Sequence, residues 1–386
     1  MQKKYLMTPG PTPVPAEVLL KMASPMIHHR TPDFSAAFRA SIEGLKYVFD
    51  TERSDVMLFA SSGTGAMESA IVNTLSAGDT VIIARNGKFG DRQKQICQAY
   101  GVKVEDLEYE WTQTVKPADI EAKLAALAAE GITPAAVIVT QSETSTGVLN
   151  DVKAIGAIVK NYPDTILIVD SITGIGAVEC KTDEWGLDVV MTGSQKGLML
   201  PPGLAALTVS PKAWKAYERS TLPKFYFDWM KYKKSVDKDT TPFTPAVSLV
   251  LGLNVALAMI REEGLENTIA RHSRLAEATR KGCEALGLEI FAPEDGRSSA
   301  VTPVWVPEGI DGKQIVSVLK NRYGVTIAGG QDHLVGKIIR IGHLGYFGEF
   351  DIITTLSALE MTLASLGYEF ERGSGIKAAE EVFMAE

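Results

Sequence analysis

The chain has 386 residues, of which 45% are hydrophobic and 22% charged, values that exclude a disordered or fibrous chain. Lys and Arg number 39 against 47 Asp and Glu, a net charge of -8, so no overall basic field favours nucleic acid or an anionic membrane. Cys97, Cys180 and Cys283 are too scattered for a disulfide framework or a zinc site, and they suit a reducing cytosol.

Pro9, Pro11, Pro13 and Pro15 make the first segment an extended arm lying against another part of the molecule. The same prolines interrupt its apolar stretch, so it is not read as a signal peptide. A helix is predicted over 34–51, a strand over 56–59, and a helix over 65–76 with Met67, Ile71 and Leu75 on one face. Further strands are predicted over 80–84, 136–140, 166–170 and 189–192. They are short, continuous and β-branched, as parallel strands buried on both faces are. Helical patterns at 120–130 and 152–161 lie between them, and this alternation predicts an open, mostly parallel sheet with helices on both sides. The texture then changes to helices over 247–263 and 265–286, β-like pieces at 301–306, 325–328 and 338–341, and a helix over 352–366. A second, smaller α+β domain is expected, with a boundary near 250–265. The last stretch, 373–386, shows no obvious partner. The longest apolar run, 249–260, is too short to span a bilayer, so a cytoplasmic protein is expected.

Several signatures are missing. Gly63-Thr-Gly65 and Gly174-Ile-Gly176 lack the third glycine of a dinucleotide fingerprint. Gly87-Lys88 lacks the Ser or Thr of a nucleotide phosphate loop, and the five histidines show no HExxH spacing. No metal site is expected.

Three features carry chemistry. The segment ASSGTGAM (60–67) follows a strand and opens a helix, which suits either a phosphate at free N–H groups or a tight turn with a Ser or Thr cap. Asp170 ends a predicted parallel strand at the edge where α/β sheets bind ligands, although a lone carboxylate there could equally cap a loop. Lys196 follows the next strand, on a small-residue loop flanked by Met191, Leu198, Met199 and Leu200. Such flanks argue against an ordinary solvated lysine, and desolvation lowers a lysine's pKa toward a usable nucleophile. Together the three are the handles that pyridoxal 5'-phosphate requires: an amine for its aldehyde, an acid for its ring nitrogen and a cup for its phosphate.

The motifs TPGPTPVP (8–15), SGTGAME (62–68), NGKFG (86–90), ETSTGVL (143–149), IVDSITGIG (168–176), GSQKG (193–197) with PPG (201–203), and RIGHLG (340–345) resemble, in the same order, those of the class V fold-type I pyridoxal-phosphate aminotransferases. The resemblance is to their serine/alanine–glyoxylate group, including its cyanobacterial branch labelled soluble hydrogenase small subunit. It runs from residue 5 to about 368. It implies a large domain with a mostly parallel seven-stranded sheet between helices, plus a smaller α+β C-terminal domain. The implied division is an arm at 1–16 packing with the small domain and active site, a large domain at 17–255, a small domain at 256–370 and a tail at 371–386.

The resemblance also implies roles. Lys196 would form the Schiff base and shuttle the proton, and Asp170 would hold the pyridine nitrogen. Thr64, Gly65, Ala66 and Gln195 would bind the phosphate, with Ser145 near the phenolic oxygen and Ile172 also against the cofactor. Phe89 stands where the family usually has tryptophan, and Ala66 where it often has histidine. Thr241 and Thr244 would reach the phosphate of a partner subunit, making a homodimer with shared sites. Arg340 would grip the substrate carboxylate. Pro9 and Gly10 would narrow the pocket, joined by His28, His29 and Arg30.

The implied activity is ping-pong transfer of an amino group from alanine or serine to glyoxylate or pyruvate. One visible carboxylate-binding arginine favours such small donors over dicarboxylates. Rival readings are a transaminase of another small amine such as an aminophosphonate, a non-catalytic subunit of a redox complex, a nicotinamide dehydrogenase, and a cysteine desulfurase. The last would need a cysteine on a small-domain loop, and GGQDHL (329–334) has none.

Overall fold

The computed structural model describes residues 2–385; Met1 and Glu386, the outer ends of the expected arm and tail, lie outside them. Its centre is a seven-stranded sheet. The strands are β1 (Asp55–Phe59), β2 (Thr80–Arg85), β3 (Lys103–Glu108), β4 (Ala136–Thr140), β5 (Ile166–Asp170), β6 (Val189–Gly193) and β7 (Ala205–Val209). Their spatial order is β1-β7-β6-β5-β4-β2-β3. All pairs are parallel except that β7 runs antiparallel to both neighbours.

The inner strands are mostly apolar because both faces are covered, and the period of two sends successive side chains to different cores. Leu167 and Val169 enter one core with Phe34, Phe38 and Leu257. Ile166 and Ile168 enter the other with Met67, Ile71 and Trp229. The first core is covered by α1 (Pro32–Phe49) and α4 (Val247–Glu263), the second by α2 (Gly63–Thr74) and α3 (Lys88–Ala99). Fully burying such a side chain is worth about 1.5–3 kcal/mol.

A smaller antiparallel sheet joins β8 (Val301–Trp305), β9 (Ala328–Gly329) and β10 (Ile338–Gly342) in the order β8-β10-β9. Pro303 is tolerated because β8 is an edge strand. The helices α5 (Leu265–Ala285) and α6 (Glu349–Ser365) pack with this sheet around a third core. Residues Tyr5–Leu6 of the arm pair in parallel with Val325–Thr326, and Met7 is buried in that same core.

Sequence patterning misses several elements, among them β3, α3 and β7, and misjudges another. β3 is an edge strand and therefore half polar. α3 carries few apolar residues and a glycine, Gly90. β7 follows the turn-forming Pro201-Pro-Gly203. The segment expected to lack a partner is a helix, α7 (Ser374–Met384), whose Ile376, Ala379 and Phe383 join the third core. The Glu360 carboxylate accepts from the N–H groups of Gly373 at 2.8 Å and Gly375 at 3.1 Å, which anchors the helix start.

Candidate active site

In this sheet β1, β2, β4, β5 and β6 all point the same way, so the loops leaving their carboxyl ends meet along one edge. At or just beyond those ends stand, in order, Thr64 in the first turn of α2, Phe89 in the first turn of α3, Ser145, Asp170 with Ile172, and Gln195 with Lys196. Asp170 is level with Thr140 on β4 and Met191 on β6. Lys196 sits on a rigid turn. The Ser194 hydroxyl donates to the Pro201 carbonyl at 2.7 Å and accepts from Leu204 N–H at 3.1 Å. Gly197 lies so close to the Ile175 carbonyl that a Cβ would come within 2.2 Å of its oxygen.

The Lys196 side chain is buried and donates from Nζ to the Pro9 carbonyl at 2.7 Å. Burial, and then the charge of Arg340, bring its pKa down to about 8. Asp170 is 2% exposed, accepts from Ile172 N–H at 3.0 Å and has no cation within ion-pairing distance among the described residues. Burial pushes its carboxyl up to about 7; the Ile172 bond opposes this and the Glu143 charge adds to it.

The arm closes the site. Gly342 N–H donates to the Met7 carbonyl at 2.8 Å, and Thr12 N–H donates to the Gln195 carbonyl at 3.2 Å. The arm thus lies between the end of β10 and the lysine turn. Gly10 has φ +131, and a Cβ there would stand 2.4 Å from Lys196 Nζ. Arg340, level with Pro303 and Ala328, is buried. It donates from Nε to the Gly329 carbonyl at 2.8 Å and from Nη1 to the Thr144 carbonyl at 2.9 Å. Burial brings its pKa down to about 10. With Nε and one Nη1 proton engaged, the donors left over are both Nη2 protons and the second Nη1 proton.

α2 has no side-chain cap, and Thr64 N–H makes no hydrogen bond among the described residues. Gly65 N–H, by contrast, turns back to the Ser62 carbonyl at 2.9 Å. Ile172 packs on Gly63 at the start of the same helix, and Ala66 is buried one turn in. Gln195 Oε1 is buried with no partner. Such an orphan costs free energy unless a ligand or water satisfies it.

Two residues escaped the sequence reading. Glu143 is fully buried: Oε2 accepts from Phe89 N–H at 3.0 Å and Gly90 N–H at 3.2 Å, and Oε1 accepts from Ser145 N–H at 3.1 Å and its hydroxyl at 2.5 Å. It clasps the ring-bearing helix to the Ser145 loop. A carboxylate inside a run of small hydroxyl residues was the available signal. The second, Arg92, lies on the unrecognised α3 and donates to Thr64 Oγ1 at 3.3 Å; its spacing of three from Phe89 was the signal.

Among the described residues, no hydrogen bond joins Thr241 or Thr244 to Lys196, Asp170, Thr64 or Gln195. Thr241 Oγ1 donates to the Phe243 carbonyl at 2.7 Å, and its own carbonyl accepts from Arg30 Nη1 at 2.7 Å. Thr244 lines a surface cleft of about 720 Å³ with Met26, His28 and His29. His28, His29 and Arg30 therefore group with these threonines, and no hydrogen bond among the described residues ties them to Gly10 or Lys196.

Residues 4–345 match the family described as aminotransferase class-V. The chain belongs to that family. Relatives of this class-V chain include the soluble hydrogenase small subunit of Synechococcus sp. (strain PCC 6716), 50% identical over 98% of both chains. The L-aspartate–glyoxylate aminotransferase of Paracoccus denitrificans is 40% identical over 97% of this chain and 94% of that one. The serine–glyoxylate aminotransferase of Arabidopsis thaliana is 39% identical over 98% and 94%. Among solved structures, the ureidoglycine–glyoxylate aminotransferase of Bacillus subtilis superposes with a TM-score of 0.94 at 29% identity, covering 100% of this chain and 99% of that one. No helix of the described chain is long and apolar enough to cross a membrane.

Proposed function

We propose that this class-V aminotransferase uses pyridoxal 5'-phosphate to move the amino group of alanine or serine to glyoxylate or pyruvate in a ping-pong cycle. The observation that carries this reading is that a buried carboxyl and a buried lysine meet at the carboxyl edge of the sheet, Asp170 at the end of β5 and Lys196 on the turn after β6. The residues fit the cofactor. Asp170 lacks a cation, which a protonated ring nitrogen supplies. The uncapped start of α2 and the unpartnered Gln195 amide suit its phosphate, and Phe89 offers a ring face. When bound, the cofactor supplies an electron sink for a carbanion at the substrate Cα.

The chain's own residues do the rest. Lys196 holds the cofactor and then, once free and neutral, carries the proton from the substrate Cα; a pKa near 8 keeps it a competent base near neutral pH. Asp170 keeps the ring nitrogen charged. The remaining Nη donors of Arg340 take the substrate carboxylate in charge-assisted bonds, and the arm at Gly10 limits the space beside Lys196. Glyoxylate is favoured as acceptor because it appears in the names of the Paracoccus and Arabidopsis relatives.

The same proposal includes a cytoplasmic homodimer with shared sites. Its support is the cleft beside Thr244 and the exposed Leu20, Met26 and Phe225, apolar side chains that a second copy would cover. It also includes the division into an arm at 1–16, domains at 17–255 and 256–370, and a tail at 371–386. The name of the Synechococcus relative favours a subunit role in a redox complex as the second reading. The intact Lys196 and Asp170 oppose a non-catalytic chain. A screen of alanine, serine, aspartate and aminophosphonate donors against glyoxylate and pyruvate tests the proposal. Turnover with alanine or serine supports it, and turnover restricted to aspartate or to aminophosphonates contradicts it.

A further inference from the structure

Arg92 projects from α3 one turn beyond Phe89, on the same face of the helix. Its guanidinium carbon lies 4.8 Å from the centroid of the Phe89 ring. Its Nη1 crosses to α2 and donates to Thr64 Oγ1 at 3.3 Å. Arg92 thus touches the two residues offered above for the ring and the phosphate.

Its electrostatic setting is unusual for this chain. Arg85, just before the same helix, is matched by Asp91, Asp106 and Glu108. Arg92 is half-buried yet makes no ion pair among the described residues. A partly desolvated cation without a counter-charge is costly unless an anion arrives. Thr64 Oγ1 already accepts from Arg92, so its one proton is free to donate, and no acceptor for it exists among the described residues. A separate observation marks the same place. Gln195 Oε1 is buried and unpartnered; it and Ile172 both approach Gly193, and Ile172 packs on Gly63 beside Thr64. Amide oxygen and nitrogen are interchangeable assignments, so this end of Gln195 can equally present donors.

We infer that Arg92 is a positioning residue for the cofactor's phosphate, turning the Thr64 hydroxyl toward it, adding positive charge and backing the Phe89 ring. The inference rests on the pyridoxal-phosphate reading and deepens it.

The test compares pyridoxal phosphate with pyridoxal, which lacks the phosphate, by titrating cofactor-free wild type, R92K and R92Q. R92Q is expected to bind pyridoxal phosphate about ten- to a hundredfold more weakly, the loss of one charge-assisted contact, with pyridoxal affinity unchanged. R92K should recover part of the loss, since it keeps the charge but not the planar fork. In a Thr64→Val background the R92Q loss should shrink. Equal weakening of both ligands would assign Arg92 a merely structural role and overturn the inference. Unchanged cofactor affinity with a raised KM for aspartate would overturn it in favour of a substrate contact. Failure of the wild type to bind either ligand would instead overturn the cofactor reading beneath it.

Discussion

Lys196 and Pro9 are joined by a 2.7 Å hydrogen bond from the amine to the proline carbonyl. The residue that defines the site is thereby tied to a segment 187 positions away. The arm lies directly against the amine, and Gly10 leaves no room for a side chain beside it.

Gly10→Ala should therefore damage the site more than the fold. The new Cβ would fall 2.4 Å from Nζ at φ +131, a strain of about 1–3 kcal/mol. Activity should fall sharply, with only a modest drop in unfolding free energy on denaturant titration. Full activity would show that the arm moves aside.

Asp170 gives the cofactor-free protein a specific pH dependence. Its folded pKa of about 7 lies above the ordinary 3.8, so the folded state keeps a proton that the unfolded state releases between them. The resulting stabilisation is complete below pH ~4 and is lost as pH rises through ~7, a swing of about 4 kcal/mol. Urea midpoints should fall across that window in wild type and stay flatter in Asp170→Asn. Parallel curves would place the burial penalty elsewhere.

Arg340→Ala should raise KM for carboxylate donors by about ten- to a hundredfold while leaving cofactor absorption unchanged. Arg340→Lys should recover little, because a compact ammonium lacks the planar fork whose donors reach Gly329, Thr144 and a carboxylate in different directions. Steady-state kinetics with alanine separates KM from kcat.

Much of this was legible in the chain, and the reasons differ by residue. The inner strands are buried on both faces, so their apolar runs mark them, and Ala136–Thr140 and Ile166–Asp170 match the patterning at both ends. Asp170 and Lys196 stood out because charged residues rarely adjoin such runs. α3 did not, because its buried stripe is thin and Lys88, Asp91, Arg92 and Lys94 crowd its first turns. Glu143 was hidden for a different reason. Its importance lies in four acceptances from backbone and hydroxyl groups, which sequence spacing does not reveal.

Glu143→Ala should cost about 3–5 kcal/mol of unfolding free energy, because it strands N–H groups in the interior. Glu143→Gln, which keeps one acceptor, should cost less. Urea denaturation orders the pair; a Glu143→Gln variant more stable than wild type would mean that the buried charge itself is the destabilising element.

The central claim is that Lys196 carries the cofactor. Borohydride reduction of the protein with pyridoxal phosphate, followed by peptide mapping, tests it directly. The account predicts one reduced adduct, on Lys196. An adduct confined to another lysine, or none at all, would contradict it.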